Sequence, residues 1–287
     1  MGKLTQLFAR AHLAMGNRHT ETARRRAGPE AERSFQSAYQ RYASALAGNN
    51  RLHEAAKNWG RALYFAAQTK SGKERGNLLR QACEKFARAH EIDPNDGTTL
   101  YHWGMALAQH AARGTMKGSD ERYQSAYERF AQALTRNEQD HQSLHGWGLA
   151  LYQQALSKPG PEVDGVLQAA CEKYSTAARI KPDEAEILND WGVALMERAR
   201  RVTGPERDAL HQEAEAKFLE AEKHHRAIGS YNLACIYSLR GDHEQCRAYL
   251  ELARANNTLP SRAHMESDPD LAGARELDWL QGVWKKQ

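Results

Sequence analysis

His141 and His145 stand four residues apart. On a helix that spacing brings two imidazoles to one face, as in the paired ligands of zinc proteases. The residue after His141 is Gln142, not the glutamate such a site needs as general base, and no further ligand is indicated. Ser71-Gly72-Lys73 ends like a phosphate-binding loop but lacks the upstream glycine and the following Ser or Thr. A Gly-x-Ser-x-Gly nucleophile turn is absent, and no cysteine pair has zinc-finger spacing. Cys83 and Cys171 each follow an alanine, and Cys246 stands where such an alanine would be. All three read as small core residues in a reducing compartment. Cys235 and Cys246 fall on paired helices, so a disulfide between them stays open. His224-His225 sits where a helix ends, suiting the helix dipole. The expectation is therefore a protein that is not an enzyme, with no metal and no cofactor.

A different set of residues keeps a strict beat. Trp59, Trp103, Trp147 and Trp191 are 44 residues apart, and each precedes a glycine, Gly60, Gly104, Gly148 and Gly192. Gly16 lies one further period upstream. Tyr42, Phe86, Phe130, Tyr174 and Phe218 repeat at the same interval, each with alanine four residues before and three after. Alanine-x3-aromatic-x2-alanine puts all three on one helical face. Small residues flanking a ring let two helices approach closely while the ring fills the gap. A glycine inside a helix costs about 1 kcal/mol relative to alanine, so its recurrence predicts contact with a neighbouring helix. The tryptophan row, whose periodic partners are packing alanines, reads as core rather than as a ligand-stacking track.

These residues resemble the tetratricopeptide repeat (TPR) family, a helix-turn-helix unit of about 34 residues that stacks into solenoids. The likeness is fullest in 185–226, where Leu188, Trp191, Gly192 and Leu195 take first-helix positions and Ala214, Phe218 and Ala221 take second-helix positions. Pro94 and Pro182 fall at the repeat-ending proline. The resemblance implies an all-α, right-handed solenoid with a lead-in at 1–8, units at 9–52, 53–96, 97–140, 141–184, 185–226 and 227–260, and a capping helix in 261–287. In that last stretch Asp268 and Pro269 mark a helix start, and Leu277, Leu280 and Trp284 share a face. Five units are about ten residues longer than the family's 34. The excess lies around 70–77, 113–120, 157–165 and 202–208, and predicts helices longer by about one turn, joined by short loops. The first unit carries Arg18-His19 where others have Ala-Leu, as a terminal unit does.

The resemblance further implies a non-enzymatic interaction module, an adaptor, scaffold or regulatory subunit, that binds a peptide or helical segment of another protein in a concave groove. Carried over unit by unit, the groove positions include Lys57, Arg61, Tyr64 and Phe65, then Tyr101 and Met105, then His145, Leu149 and Tyr152, then Asn189 and Met196, and finally Tyr231. Tyrosine gives broad contact with a polar tip, and methionine adapts to varied shapes. The clamp that chaperone-binding relatives use for a terminal carboxylate is not reproduced, because Arg61 stands where it has asparagine. The lengthened helices could also cover part of this surface.

Composition agrees with an array of helices. Forty Lys and Arg against 36 Asp and Glu leave a net charge of +4 over 287 residues. That excludes a polycation, but Arg24-Arg25-Arg26 with Lys70, Lys73 and Arg75 would form a basic rim. Such a rim supports the alternative of a nucleic-acid-associated subunit. No run approaches the ~20 apolar residues of a membrane span, and the first residues show no signal-peptide core, which suggests a cytoplasmic protein. Met1-Gly2 opens like a myristoylation signal, yet residue six is Gln6 rather than Ser or Thr.

Overall fold

The computed structural model describes residues 2–112, 118–158, 160 and 162–284, and only the backbone of Gln281 and Trp284. The expected turn residues 113–117, Pro159 and Pro161, and the side chain of Trp284, lie outside the described set. Among the described residues the structure is helical and has no strand. It divides into two compact units, Met1–Ser157 and Lys158–Gln287.

The first unit holds α1 (Lys3–Arg24), α2 (Gly28–Gly48), α3 (His53–Gln68), α4 (Gly72–Ile92), α5 (Gly97–Ala111), α6 (Ser119–Arg136) and α7 (His141–Ser157). Helices pair as consecutive hairpins, α1 with α2, α3 with α4 and α5 with α6, and each hairpin packs on the next. The odd-numbered helices also touch one another, α1 to α3, α3 to α5 and α5 to α7, and so form one layer. The lead-in anticipated at 1–8 is mostly helical, because α1 starts at Lys3.

Extra length goes into the helices. Between α3 and α4 only residues 69–71 remain outside a helix, and Gly72 takes φ +54°, the left-handed region that glycine tolerates. In the second unit the lengthened hairpin of α9 (Ala185–Ala199) and α10 (Pro205–His224) follows α8 (Val163–Ile180). Beyond it lies the shorter pair α11 (Ser230–Leu239) and α12 (His243–Ala255).

The closing segment is three short pieces, not one capping helix: α13 (Arg262–Ser267), a 3₁₀ helix (Pro269–Ala274) and α14 (Asp278–Trp284). Pro269 disfavours helical backbone at Asp268, which is extended at φ −70°, ψ 115° and caps the 3₁₀ helix by accepting from the Asp270 N–H. Met265, Leu271, Ala274, Leu280 and Val283 of this segment share one core cluster with Ala234, Cys235, Cys246 and Leu250. The thiols of Cys235 and Cys246 are both free.

The repeated ring is the centre of each hairpin. Tyr42, Phe86, Phe130, Tyr174 and Phe218 are at most 1 % exposed, and their flanking alanines are equally buried. Opposite the rings stand the repeated glycines. A Cβ on Gly16, Gly60, Gly104 or Gly192 would lie 2.6, 2.7, 2.7 or 2.5 Å from the ring of Tyr42, Phe86, Phe130 or Phe218. In each pair the residues are 26 apart in sequence. Burying such a ring contributes about 1.5–3 kcal/mol, and only glycine admits it at this distance. The indoles of Trp59, Trp103 and Trp191 are half-buried, each with a cation over its face. Lys85 Nζ is 3.9 Å from the Trp59 ring, Arg129 Cζ 4.4 Å from Trp103, and Lys217 Nζ 3.8 Å from Trp191.

Candidate interaction face

The layer of α1, α3, α5 and α7 in the first unit carries nine of the residues assigned to partner binding. Most are engaged with one another or with the next helix. Lys57 is 13 % exposed at its side chain, and its ammonium pairs with Glu54 at 2.9 Å and Asp96 at 3.1 Å. Asp96 is the N-cap of α5. It accepts from the Thr98 N–H and from the Thr98 and Thr99 hydroxyls, and His53 Nε2 lies 3.2 Å away. Burial would raise the Asp96 carboxyl, but the hydrogen bonds from Thr99, Thr98 and Lys57 outweigh it and hold the pKa at about 2.

Further along α3, the Tyr64 hydroxyl accepts from Gln109 Nε2 at 2.7 Å. Gln68 and Arg75 both donate to Gln109 Oε1, at 2.7 and 3.1 Å. Burial raises the Tyr64 phenol well above its ordinary value. On α5, Tyr101 and Met105 pack toward α7, where a Cβ on Gly146 would meet Met105 Sδ at 3.0 Å and the Tyr101 ring at 3.1 Å. Beside Tyr101, burial first and the charges of Arg61 and Lys57 next push the His102 imidazole down to about 3. His145, Leu149 and Tyr152 are half-buried on α7.

Arg61 differs from its neighbours. It is half-buried, and its Nε is buried with no hydrogen-bond partner. Among the described residues no carboxylate pairs with it. It lines a cavity of about 200 Å³ with Asn17, Glu21, Tyr42, Asn58 and Phe65. Asn17 Oδ1 accepts from the Tyr42 hydroxyl and from Asn58 Nδ2, both at 3.0 Å, which ties α1, α2 and α3 together. The Phe65 ring lies between two guanidinium groups, Arg24 at 4.4 Å and Arg61 at 5.8 Å from its centroid. Arg24 is already paired with Glu21 at 3.1 Å. Arg61 thus forms no ion pair, because Glu21, the carboxylate of this cavity, is engaged by Arg24.

The three site residues in the second unit are placed differently. Asn189 accepts from Asn232 Nδ2 at 3.1 Å. Met196 is 5 % exposed and belongs to the core. Tyr231 donates to Asp268 at 2.6 Å and lies under the closing segment. A cavity of about 720 Å³ in this unit is lined in part by Arg200, Arg207, His211, Arg240 and Asp270. Its arginines are neutralised at home, Arg200 by Asp270 and Glu197, Arg240 by Glu215 and Arg207 by Asp208.

The basic rim expected from Arg26 and Lys70 is also largely paired. Arg26 meets Glu30 at 3.1 Å, Lys70 meets Glu32 at 3.0 Å and Glu74 at 2.8 Å, and Arg75 is spent on Gln68 and Gln109. His141 and His145 share α7, but among the described residues no three His, Cys, Asp or Glu side chains converge as metal ligands.

Sequence reasoning overlooked Asn17 and Asn58. Their signal was positional, since Asn17 follows Gly16 and Asn58 precedes Trp59, but polar residues beside the packing positions look alike whether they face solvent or a neighbouring helix.

Helical hairpins locked by a glycine against a buried ring give this chain a fold like that of tetratricopeptide-repeat α-solenoids. Known structures agree. PilW, a type IV pilus biogenesis factor, aligns over 94 % of this chain and 98 % of its own at 12 % identity, with a TM-score of 0.60. PilF of Pseudomonas aeruginosa aligns over 88 % and 94 % at 12 % identity, also 0.60. MamA from Desulfovibrio magneticus RS-1, from residue 41 onward, aligns over 79 % and 98 % at 15 % identity, with 0.52. No family model and no curated protein matches the sequence. Among the described residues no helix is long and apolar enough to cross a membrane.

Proposed function

We propose that the protein is a non-enzymatic interaction module, an adaptor or scaffold, and that the α1–α3–α5–α7 layer of its first unit receives a segment of a partner protein. An acidic side chain of that segment sits against Arg61, and its apolar neighbours lie across Phe65, Tyr101 and Met105. The observation that carries this reading is the cavity of about 200 Å³ in which the Arg61 guanidinium has no carboxylate partner while Arg24 and Lys57 have theirs. A buried polar group left unpaired costs about 1–3 kcal/mol, and a partner carboxylate would relieve it. Asn58, with an amide hydrogen to spare, would orient that carboxylate.

The test uses an array of Asp- and Glu-containing peptides and their amide-substituted counterparts. Arg61→Met should weaken the best acidic peptides at least about tenfold, as interface anchors do, and abolish the preference over the amides. Circular dichroism should be unchanged. Equal binding by folded Arg61→Met, or no preference for acids in the wild type, would remove this cavity from the account.

A further inference from the structure

α1 has two faces that each look like an inside. Ala9, Gly16, Thr20 and Ala23 are buried toward the fold. On another side Leu4, Leu7, Phe8 and Met15 are 65, 63, 58 and 40 % exposed. Their spacing of three, one and seven residues puts them in one stripe along about 16 Å of helix, at 1.5 Å per residue. Isolated exposed apolar residues are ordinary, but a contiguous row of this kind marks a contact surface.

The charge around the stripe has one sign. Lys3, Arg10 and Arg18 accompany it along α1, and no Asp or Glu occurs before Glu21. The returning helix continues the pattern. α2 runs back along α1, so that a Cβ on Gly48 would lie 3.2 Å from Ala9 Cβ. From residue 33 to residue 53 the chain carries Arg33, Arg41 and Arg51 and no acid. The carboxylates of the hairpin itself belong to its other end, and each has a base of its own: Glu21 with Arg24, Glu30 with Arg26, Glu32 with Lys70. Beyond the end of α2, Glu54 and Glu91 are likewise paired, with Lys57 and Arg88.

We propose that this end of the first unit rests on an anionic lipid surface. Leu4, Leu7, Phe8 and Met15 enter the boundary between headgroups and acyl chains, and Lys3, Arg10, Arg18 and Arg41 meet the lipid phosphates. This is the division of labour of an interfacial amphipathic helix. A second copy of the chain is disfavoured, since a self-paired stripe would bring like charges together. A groove-shaped protein partner is disfavoured because α1 is held along its length by α2, which leaves a stripe free rather than a whole helix. A flat, negatively charged, apolar-backed surface fits what is exposed.

Sedimentation of the full chain with vesicles tests this. The protein should pellet with vesicles of phosphatidylcholine containing about one-third phosphatidylglycerol, should pellet far less with phosphatidylcholine alone, and should be released by salt. Leu7→Glu with Phe8→Glu should lower partitioning at least about tenfold, and Lys3→Glu with Arg10→Glu should do the same. The substituted side chains are largely exposed, so both variants should keep the wild-type melting temperature. Wild type that stays in the supernatant overturns the proposal, as does a folded Leu7→Glu, Phe8→Glu variant that pellets like wild type. If that variant instead turns an oligomer into a monomer while vesicles are ignored, the stripe is a protein contact and the lipid assignment fails.

Discussion

Gly60 on α3 faces the Phe86 ring on α4 so closely that a methyl group would stand 2.7 Å from Phe86 Cε1. The ring is completely buried, so it has nowhere to retreat. The same relation holds for Gly16 and Tyr42, Gly104 and Phe130, and Gly192 and Phe218. A helix-weakening residue has become the place where the two helices leave no room for a methyl group, and the aromatic supplies the apolar area that offsets it.

Gly60→Ala should therefore destabilise the protein although alanine is the better helix former. Overpacking a filled core costs about 1–3 kcal/mol, which exceeds the ~1 kcal/mol of helix propensity gained. Gly76→Ala is the control. It lies within α4 with nothing inside 4 Å of its added methyl, so it should raise stability by about 0.5–1 kcal/mol. Urea unfolding of the two variants gives opposite signs if the ring contact governs. A stabilised Gly60→Ala would refute it.

Most of the fold was readable because packing repeats in register. The 44-residue beat of Trp-Gly and of alanine-aromatic-alanine named the buried layer before any coordinate did. One further rung was in plain sight. Lys85, Arg129, Lys173 and Lys217 each precede a beat aromatic, and for Lys85, Arg129 and Lys217 the structure puts that cation on the indole. The candidate site was less readable. Groove positions carried over from a family say which way a side chain points, not whether a neighbour has already claimed it. Lys57 was claimed by Asp96 and Glu54, Tyr64 by Gln109, and Tyr231 by Asp268. Those partners lie 37–45 residues away, except for Glu54, and no local pattern announces them. The closing segment differs for a more local reason: a helix does start at Asp268 and Pro269, but it is a 3₁₀ helix that ends at Ala274, and α14 begins separately at Asp278.

The four cysteines should behave as core atoms rather than reagents. Burial pushes the Cys83, Cys171 and Cys246 thiols up to about 12, and Cys235 well above its ordinary range. The thiolate is the reactive form, so its population near pH 8 is very small in the folded chain. Iodoacetamide should leave the native protein unlabelled over a time in which the urea-unfolded protein takes up four equivalents, one for each free cysteine. Rapid labelling of Cys83 in the native state would contradict the burial on which this rests.

Acid should act on the α3–α5 contact in two windows that overlap only between about pH 4 and 3. The folded pKa of Asp96 is lowered to about 2 from an ordinary value near 4. Its contribution is therefore full above about pH 4, where the unfolded carboxyl is also ionised, and disappears as pH falls through about 2. Asp96→Ala should lower the melting temperature at pH 7, by the loss of a cap worth about 1 kcal/mol together with the Lys57 ion pair. The gap to wild type should narrow as pH falls from 4 toward 2. His102 covers the higher window. Its folded pKa is depressed to about 3 by burial and by Arg61 and Lys57, so from an ordinary value of about 6.5 downward the unfolded chain binds a proton that the folded chain refuses. Stability should thus fall between about pH 6.5 and 3, and His102→Gln should flatten that slope while leaving the lower window in place. Thermal melts of wild type, Asp96→Ala and His102→Gln at closely spaced pH values separate the two groups. A wild-type curve with no slope above pH 4 would mean that His102 is not held neutral where its ring stacks 6.1 Å from that of Phe86.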